Sequence, residues 1–477
     1  MSNLYEAAVR EAREVFRPQT LTVGVWHDGK EEYFTYGRVS HATRRADQDT
    51  VFPIASVSKS FIAAAVWMLV EEGKVDITAP VTRYLPGFAM YTEELTQKLT
   101  VRDALCHCCG LARHDITLYT LVGLPLEQMV ETIRYLPPSW PLGSRYGYSN
   151  HMFATISLLV EKVSGMPWGD FVKERIFKPL GMDRSYTKSL AFRGVDDNYA
   201  RPRKQVNGRN CADDTEITDH CGCSGSISAS ARDLLQWAKL NLRGGVLPDG
   251  TRLYSEEAER NLHGEQTYID FQAQLPFKIE EIERLYYGMG WSVERFRGER
   301  LIYHGGAITG FRSTAGFMPD KDFAYVVLAN LSNSPVCEAV ARSMCDVRLG
   351  LDDADWSKRF FGLLTANNET ARGTRQFIIA PPEQPPETRG IAGRYESKGY
   401  GVFVFTERGG KLKMHVEGVD SVRPLQVLPS KQFQWAIDIP NAEMAMPCSF
   451  EFEDGRAVRA HIQTDAEIIQ PMVFDRL

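Results

Sequence analysis

The sequence predicts an α+β protein with a small antiparallel β-barrel at its C-terminal end. Three observations predict it. Strand patterns occur early and late in the first ~350 residues with helical patterns between them, and early and late strands that share one sheet make an α+β domain. A proline-rich stretch, Pro381-Pro382-Glu383-Gln384-Pro385-Pro386, then interrupts the chain as a stiff linker. Beyond it, short strand patterns recur at regular spacing, which marks a small barrel. The boundaries read as a first domain over residues 1–352, a closing helix and linker over 353–387, and the barrel over 388–477.

Each element follows from its pattern. Residues 4–16 place apolar and charged positions at helical spacing and read as a surface helix. Leu21 to Trp26 alternates as a strand, His27-Asp28-Gly29 turns the chain, and Glu32 to Tyr36 returns it as a hairpin. Helical patterns follow at 58–72, 101–106, 125–135, 151–164 and 231–242. Strands resume at Arg300 to Tyr303 and Ser313 to Met318. Phe323 to Leu331 is apolar almost throughout, the composition of a central strand covered on both faces. Ala354 to Asn367 reads as a closing helix. The barrel strands are expected at 401–405, 411–416, 424–428, 432–436, 447–452, 457–464 and 470–475, with turns at Gly409-Gly410 and Glu453-Asp454-Gly455.

Composition narrows the function. The 477 residues carry 55 basic and 61 acidic side chains, a net charge of −6, which argues against a partner held by phosphate contacts, so no nucleic acid is expected. The longest apolar run, Phe61 to Val70, is shorter than the ~20 residues a bilayer requires, and no polybasic block is present, so no membrane partner is expected. The opening residues do not read as a secretory signal, and the nine cysteines are an odd number. Reduced thiols in the cytoplasm are the simplest expectation.

The chemistry centres on Phe52-Pro53-Ile54-Ala55-Ser56-Val57-Ser58-Lys59. The helix that follows is apolar almost all round, so it is buried. Ser56 stands at its N-terminus, where free N–H groups favour developing negative charge. Lys59 lies one turn on, over the same face, and points at Ser56. Burial makes the neutral amine accessible, and a neutral amine beside a hydroxyl is a nucleophile–base pair. Ser-x-x-Lys alone is a weak pattern, and Ser185-Tyr186-Thr187-Lys188 repeats it without a buried helix behind it. Position 56 by itself leaves catalysis and a snorkelling structural lysine both open.

Two further features favour catalysis. Tyr146-Gly147-Tyr148-Ser149-Asn150 can place a phenol and an amide in one cleft. His304-Gly305-Gly306-Ala307 ends a strand with two glycines that permit close backbone approach, and an N–H there can complete an oxyanion hole.

Together the three motifs resemble the serine β-lactamase and penicillin-binding-protein superfamily, in the branch of class C β-lactamases, D-aminopeptidases and CubicO-type serine hydrolases. The resemblance covers about residues 15–350 and includes Val75-Asp76, Ala231-Arg232-Asp233-Leu234 and Tyr287-Gly288-Met289-Gly290-Trp291. It implies a β-lactamase-like antiparallel sheet flanked by helices, with an all-helical subdomain. It implies Ser56 as the acylated nucleophile, Lys59 as proton shuttle and Tyr148 as a base, as phenolate or through Lys59. Asn150 would hold substrate or orient Lys59, and the N–H groups of Ser56 and Ala307 would form the oxyanion hole.

His304 departs from the lysine usual in β-lactamases and carboxypeptidases. A histidine is mostly neutral at neutral pH and holds a carboxylate weakly, which puts both activities in doubt. Cys106-His107-Cys108-Cys109-Gly110-Leu111 departs from His-Thr-Ser-Gly-Leu, with His107 expected to be a structural hydrogen-bonding residue. Cys106 and Cys109 stand at zinc-ligand spacing without a second such pair, so buried thiols and no metal are expected. Asp213-Asp214 reads as a solvated acidic turn, with a role in choosing cationic substrates as the alternative. Residues 388–477 resemble a lipocalin-like barrel, opened by Ile391-Ala392-Gly393-Arg394-Tyr395 and closed by Phe474-Asp475-Arg476. It is expected to shape the active-site mouth or build a homo-oligomer, with ligand carriage as the alternative.

The combined expectation is a serine hydrolase without a cofactor, acting through an acyl-enzyme on an amide or small peptide, with D-amino-acid preference. A carboxylesterase is the alternative within the class. A binder or sensor that acylates without turnover is the alternative outside it.

Overall fold

The computed structural model describes residues 2–39, 44–195, 197–206, 208–213, 218–272, 279–352, 354–419, 424–439 and 444–477. Eight antiparallel strands form one sheet in the order Lys30–Gly37, Thr20–His27, Phe323–Ala329, Phe311–Met318, Glu299–Ile308, Ser292–Phe296, Ile282–Tyr287 and Thr267–Tyr268. The N-terminal hairpin thus pairs with the last strand of the domain, Leu21 opposite Ala329 and His27 opposite Phe323.

Phe323–Ala329 is buried along its whole length because both faces of the sheet are covered. Phe323, Tyr325, Val327 and Ala329 pack with Tyr5 and Val9 of the N-terminal helix and with the helix Val336–Leu349. Ala324, Val326 and Leu328 join the opposite core, which contains Leu234 and Trp237 of the helix Ala231–Leu242. The all-helical region lies in the chain between Glu93 and Val172. Its helix Asn150–Ser164 packs against the helix Ser58–Glu71, which is buried from Ser58 to Leu69.

The structure differs from the sequence expectation at several helices, with Glu93–Lys98, Trp168–Val172 and Glu256–Leu262 among the unexpected ones. The segment 125–135 is a helix Leu126–Glu131 that tightens into a 3₁₀ turn at Thr132–Tyr135. The closing helix runs over Trp356–Ile378, well past Asn367. Its second half carries little apolar periodicity because it is mostly exposed, and barrel contacts at its end hold it: Arg375 binds Asp438 through both carboxylate oxygens (2.7 and 2.8 Å), and Ser430 Oγ donates to Ile378 O (2.6 Å). The helix Val336–Leu349 was not among the expected elements.

Eight strands from Gly393 to Arg476 close into the barrel. Rings fill its interior, with Tyr395, Phe405 and Phe450 meeting edge to face (5.2–5.9 Å between centroids) and Phe403 against Phe474 (4.5 Å).

Burial disfavours the protonated form of six histidines, His220 among them. Burial holds His114, His263 and His304 down to about 3, His151 to about 4, and His107 well below the ordinary range. The unfolded chain binds these protons near ~6.5 while the folded chain refuses them, so unfolding takes up protons and stability falls with pH below that value. We expect the Tm to drop progressively between about pH 6.5 and about pH 4.5 at constant ionic strength. A Tm that is flat across that range would contradict it.

Candidate active site

Ser56 sits on the 3₁₀ turn Ala55–Val57 between the short strand Val51–Pro53 and the helix Ser58–Glu71. Ala55 has a φ of 45°, a left-handed conformation that a residue with a Cβ keeps only when its surroundings hold it. The hold is visible on both sides. Ser58 Oγ donates to Ala55 O (2.6 Å) and accepts from the Ile227 N–H (3.1 Å). Ile54 donates to Ile227 O (3.0 Å), and Ile54 O accepts from Ser313 Oγ (2.7 Å). The result is a half-buried Ser56 among fully buried neighbours.

Lys59 is completely buried, and its Nζ contacts three oxygens: Ser56 Oγ (3.1 Å), Asn150 Oδ1 (2.7 Å) and Ser224 O (2.6 Å). Burial brings the amine down to about 7, with Asp115 opposing and Arg113 adding to the shift. The orientation of Asn150 is fixed from behind, because its Nδ2 donates to Asp115 Oδ1 (2.9 Å) and a carboxylate only accepts. Its Oδ1 therefore faces Lys59. A neutral amine has two N–H donors and one lone pair. The two carbonyl oxygens take the donors, so the lone pair is left for the Ser56 hydroxyl.

Tyr148 completes the cluster, its OH 2.8 Å from Ser56 Oγ. Burial pushes the phenol up, against the pull of Arg113 and of the bond to Ser56. Two basic groups lie near its ring, Lys59 Nζ at 4.8 Å and the Arg113 guanidinium at 4.7 Å from the centroid. Ser149 caps the helix that begins at Asn150, and its N–H donates to His107 Nδ1 (3.1 Å). His107 also receives the Gly147 N–H on its carbonyl (2.7 Å) and packs, edge-on or tilted, against the rings of Tyr146, Tyr148, Phe153 and Tyr287. It is a support for the 146–150 loop, as its motif suggests.

The strand Glu299–Ile308 outlasts its neighbour. Pairing with Ser292–Phe296 ends at Tyr303, so residues 304–308 pass beside the Ser56 turn with that edge uncovered. Gly306 is required there, since a Cβ would lie 2.2 Å from Ile54 O and 2.2 Å from Ser313 Oγ. Gly305 is half-buried and Ala307 is exposed on the same stretch. His304 is 5% exposed, with Nε2 against Tyr287 OH (3.0 Å) and Nδ1 against Gly305 O (2.7 Å). Burial, reinforced by Lys59, holds it neutral.

The structure thus brings Ser56, Lys59, Tyr148 and Asn150 into one hydrogen-bonded cluster and sets 304–307 beside it. The second Ser-x-x-Lys is separate, with Ser185 Oγ donating to Asp233 Oδ2 (2.9 Å). Asp213 corrects its expectation. Its side chain is only 8% exposed, not solvated, because Lys204 (3.0 Å) and Ser332 Oγ (2.7 Å) engage its carboxylate; Asp214 lies outside the described residues. All nine cysteines are unpaired, and Cys223 Sγ lies 3.1 Å from Ser58 O. No group of three or more metal-ligating side chains exists among the described residues. Sequence reading quoted Tyr287 only within its motif, and it missed Asp115, Arg113 and the Ser224 carbonyl. Only the charged run Arg113-His114-Asp115 offered any sign, and a main-chain carbonyl offers none.

Fold and site together define a serine hydrolase of the β-lactamase and penicillin-binding-protein class. Residues 8–343 match the family described as Beta-lactamase, and the chain belongs to that family. It is 26% identical to the unguisins hydrolase of Aspergillus campestris over 87% of this chain and 80% of that protein. Its fold is similar to that of the octameric penicillin-binding protein homologue from Pyrococcus abyssi (TM-score 0.63, 19% identity, 99% of each chain). It is also similar to the D-amino acid amidase from Ochrobactrum anthropi SV3 (TM-score 0.60, 19% identity, 73% of this chain and 98% of that one). Among the described residues, no helix is long and apolar enough to cross a membrane.

Proposed function

We propose that this protein hydrolyses an amide bond in a small peptide or amino-acid amide, through an acyl-enzyme on Ser56, with a preference for the D configuration. The observation that carries the reading is the fully buried Lys59 amine, 3.1 Å from Ser56 Oγ, with its two other contacts on carbonyl oxygens. The Ser56 proton passes to Lys59 Nζ as Oγ attacks the carbonyl carbon. The Ser56 and Ala307 N–H groups receive the oxyanion. Tyr148 gives its phenolic proton to the departing amine, and the phenolate is stabilised by Lys59 ammonium and Arg113. In the second half the phenolate takes a proton from water, the hydroxide attacks the acyl carbon, and Lys59 returns its proton to the Ser56 oxygen. Every proton is accounted for without a cofactor.

His304 bears on the substrate. Sealed and neutral, it offers no cation to a carboxylate, which favours an amide or ester over a β-lactam or a peptide with a terminal carboxylate. The similarity in fold to a D-amino acid amidase supports the D preference. Assembly through the barrel and residence in the cytoplasm belong to the same proposal; the unpaired thiols agree with a reducing compartment.

The test is intact mass after brief exposure to p-nitrophenyl acetate. Wild type should show a transient acetyl adduct at Ser56 with continuing nitrophenol release, and Ser56→Ala should show neither. A folded wild type that forms no adduct would count against the reading. D- and L-aminoacyl p-nitroanilides set against p-nitrophenyl esters then separate the amidase from an esterase.

A further inference from the structure

We propose that Tyr400, a residue of the barrel, is a positioning residue of the acylation machinery, and that the barrel acts on Ser56 through it. The proposal rests on the acyl-enzyme reading above. Tyr400 lies at the tip of the hairpin between the strands Gly393–Ser397 and Gly401–Arg408. That tip is seated in the catalytic domain. A Cβ on Gly399 would meet Leu136 Cδ2 at 3.0 Å, and one on Gly401 would meet Leu121 Cδ2 at 3.4 Å, so glycines flank the tyrosine where the two surfaces close on each other. Tyr400 is fully buried. Its hydroxyl lies 2.6 Å from His114 Nδ1 and 3.1 Å from Thr464 Oγ1 of the barrel.

His114 is an unusual residue to hold. Its φ is 49°, and a side chain as large as imidazole stays in the left-handed region only under restraint. Its carbonyl is fastened by Thr117 Oγ1 (2.8 Å) and its ring by Tyr400. This kink turns the two neighbouring side chains toward the site. Arg113 lies over the Tyr148 ring, and Asp115 accepts from Asn150 Nδ2. Asp115 is the group that keeps the Asn150 oxygen toward Lys59. If the kink relaxes, the amide is free to turn and present its N–H to the Lys59 lone pair. The base would then be occupied by Asn150 and withdrawn from Ser56. The path from the barrel to the base is Tyr400, His114, Asp115, Asn150, Lys59, each link except the covalent one a hydrogen bond of 2.9 Å or less, and Lys59 lies 3.1 Å from Ser56 Oγ.

The experiment measures the rate of acetyl-adduct formation at Ser56 in the full chain with p-nitrophenyl acetate. Tyr400→Phe removes one oxygen atom and is expected to slow acylation about tenfold, in line with the cost of small displacements near reacting atoms. In an Asp115→Ala background the same change should cost less than about twofold, because the link it acts through is already cut. His114→Asn, which tolerates the left-handed backbone, should lose as much as Tyr400→Phe, and the double variant should be no slower than either. Arg375→Gln loosens the barrel where it meets the closing helix and should lower the Tm while leaving acylation within about twofold of wild type. Three results would overturn the proposal: an unchanged rate in Tyr400→Phe, an equal loss with and without Asp115, or an equal loss in Arg375→Gln. If wild type itself forms no adduct, the acyl-enzyme reading fails and this one falls with it. Normal acylation in both wild type and Tyr400→Phe sinks this proposal alone.

Discussion

Lys59→Met should abolish acylation of Ser56 for practical purposes, by about 10³-fold or more, without unfolding the protein. The side chains are similar in length, and Lys59 is fully buried. Two energetic changes oppose each other: the buried amine no longer has to be desolvated, while Asn150 Oδ1 and Ser224 O lose their donor. The Tm should therefore move little while the rate collapses. A pH profile on wild type checks the same assignment. The active base is the neutral amine, so acylation should rise with pH through about 7, where burial places Lys59, and level off above it. A profile that does not change between about pH 5.5 and about pH 8.5, or a Lys59→Met enzyme that still acylates readily, would remove Lys59 from the mechanism.

Gly306→Ala is the second variant expected to fail badly. The added methyl would sit 2.2 Å from the Ile54 carbonyl and from Ser313 Oγ, and one of those is main chain that cannot rotate away. The strand must move off the Ser56 turn, breaking the Ser313–Ile54 bond and carrying the Ala307 N–H with it. We expect kcat to fall by about 10²–10³, the cost of losing one oxyanion donor, with about 1–3 kcal/mol of stability lost to overpacking. Gly305→Ala is the comparison. There a Cβ would meet nothing closer than Glu338 Oε1 at 3.8 Å, an ordinary contact, so the effect should be far smaller. Equal losses in the two variants would mean that glycine flexibility, and not the close approach to Ile54, is what the strand requires.

Much of the site was legible because its residues are bound to local patterns. Ser56 and Lys59 share a helix face, and a lysine in an apolar helix advertises its own burial. Tyr148 and Asn150 follow a proline- and glycine-rich loop, and Gly305-Gly306 mark a strand approached closely. His304 was legible as a departure, but its seal by Tyr287 was not, because the two residues meet through strand geometry. The closing helix was read short because its last turns are held by barrel contacts and not by apolar periodicity. Asp213 looked solvated because nothing in the local sequence announces Lys204 or Ser332 as partners.

The sequence by itself determined the α+β domain, the barrel after the proline-rich stretch, and the placing of Lys59 beside Ser56. These depend on period, propensity and charge within a few residues, which a linear chain displays. Only the tertiary structure decided which way the Lys59 lone pair points. That depends on Asn150 being oriented by Asp115, on the Ser224 carbonyl, and on a kink at His114 that meets a barrel tyrosine 286 residues away in the chain. Hydrogen-bond direction is a property of groups brought together from distant segments, and no window of sequence contains them all.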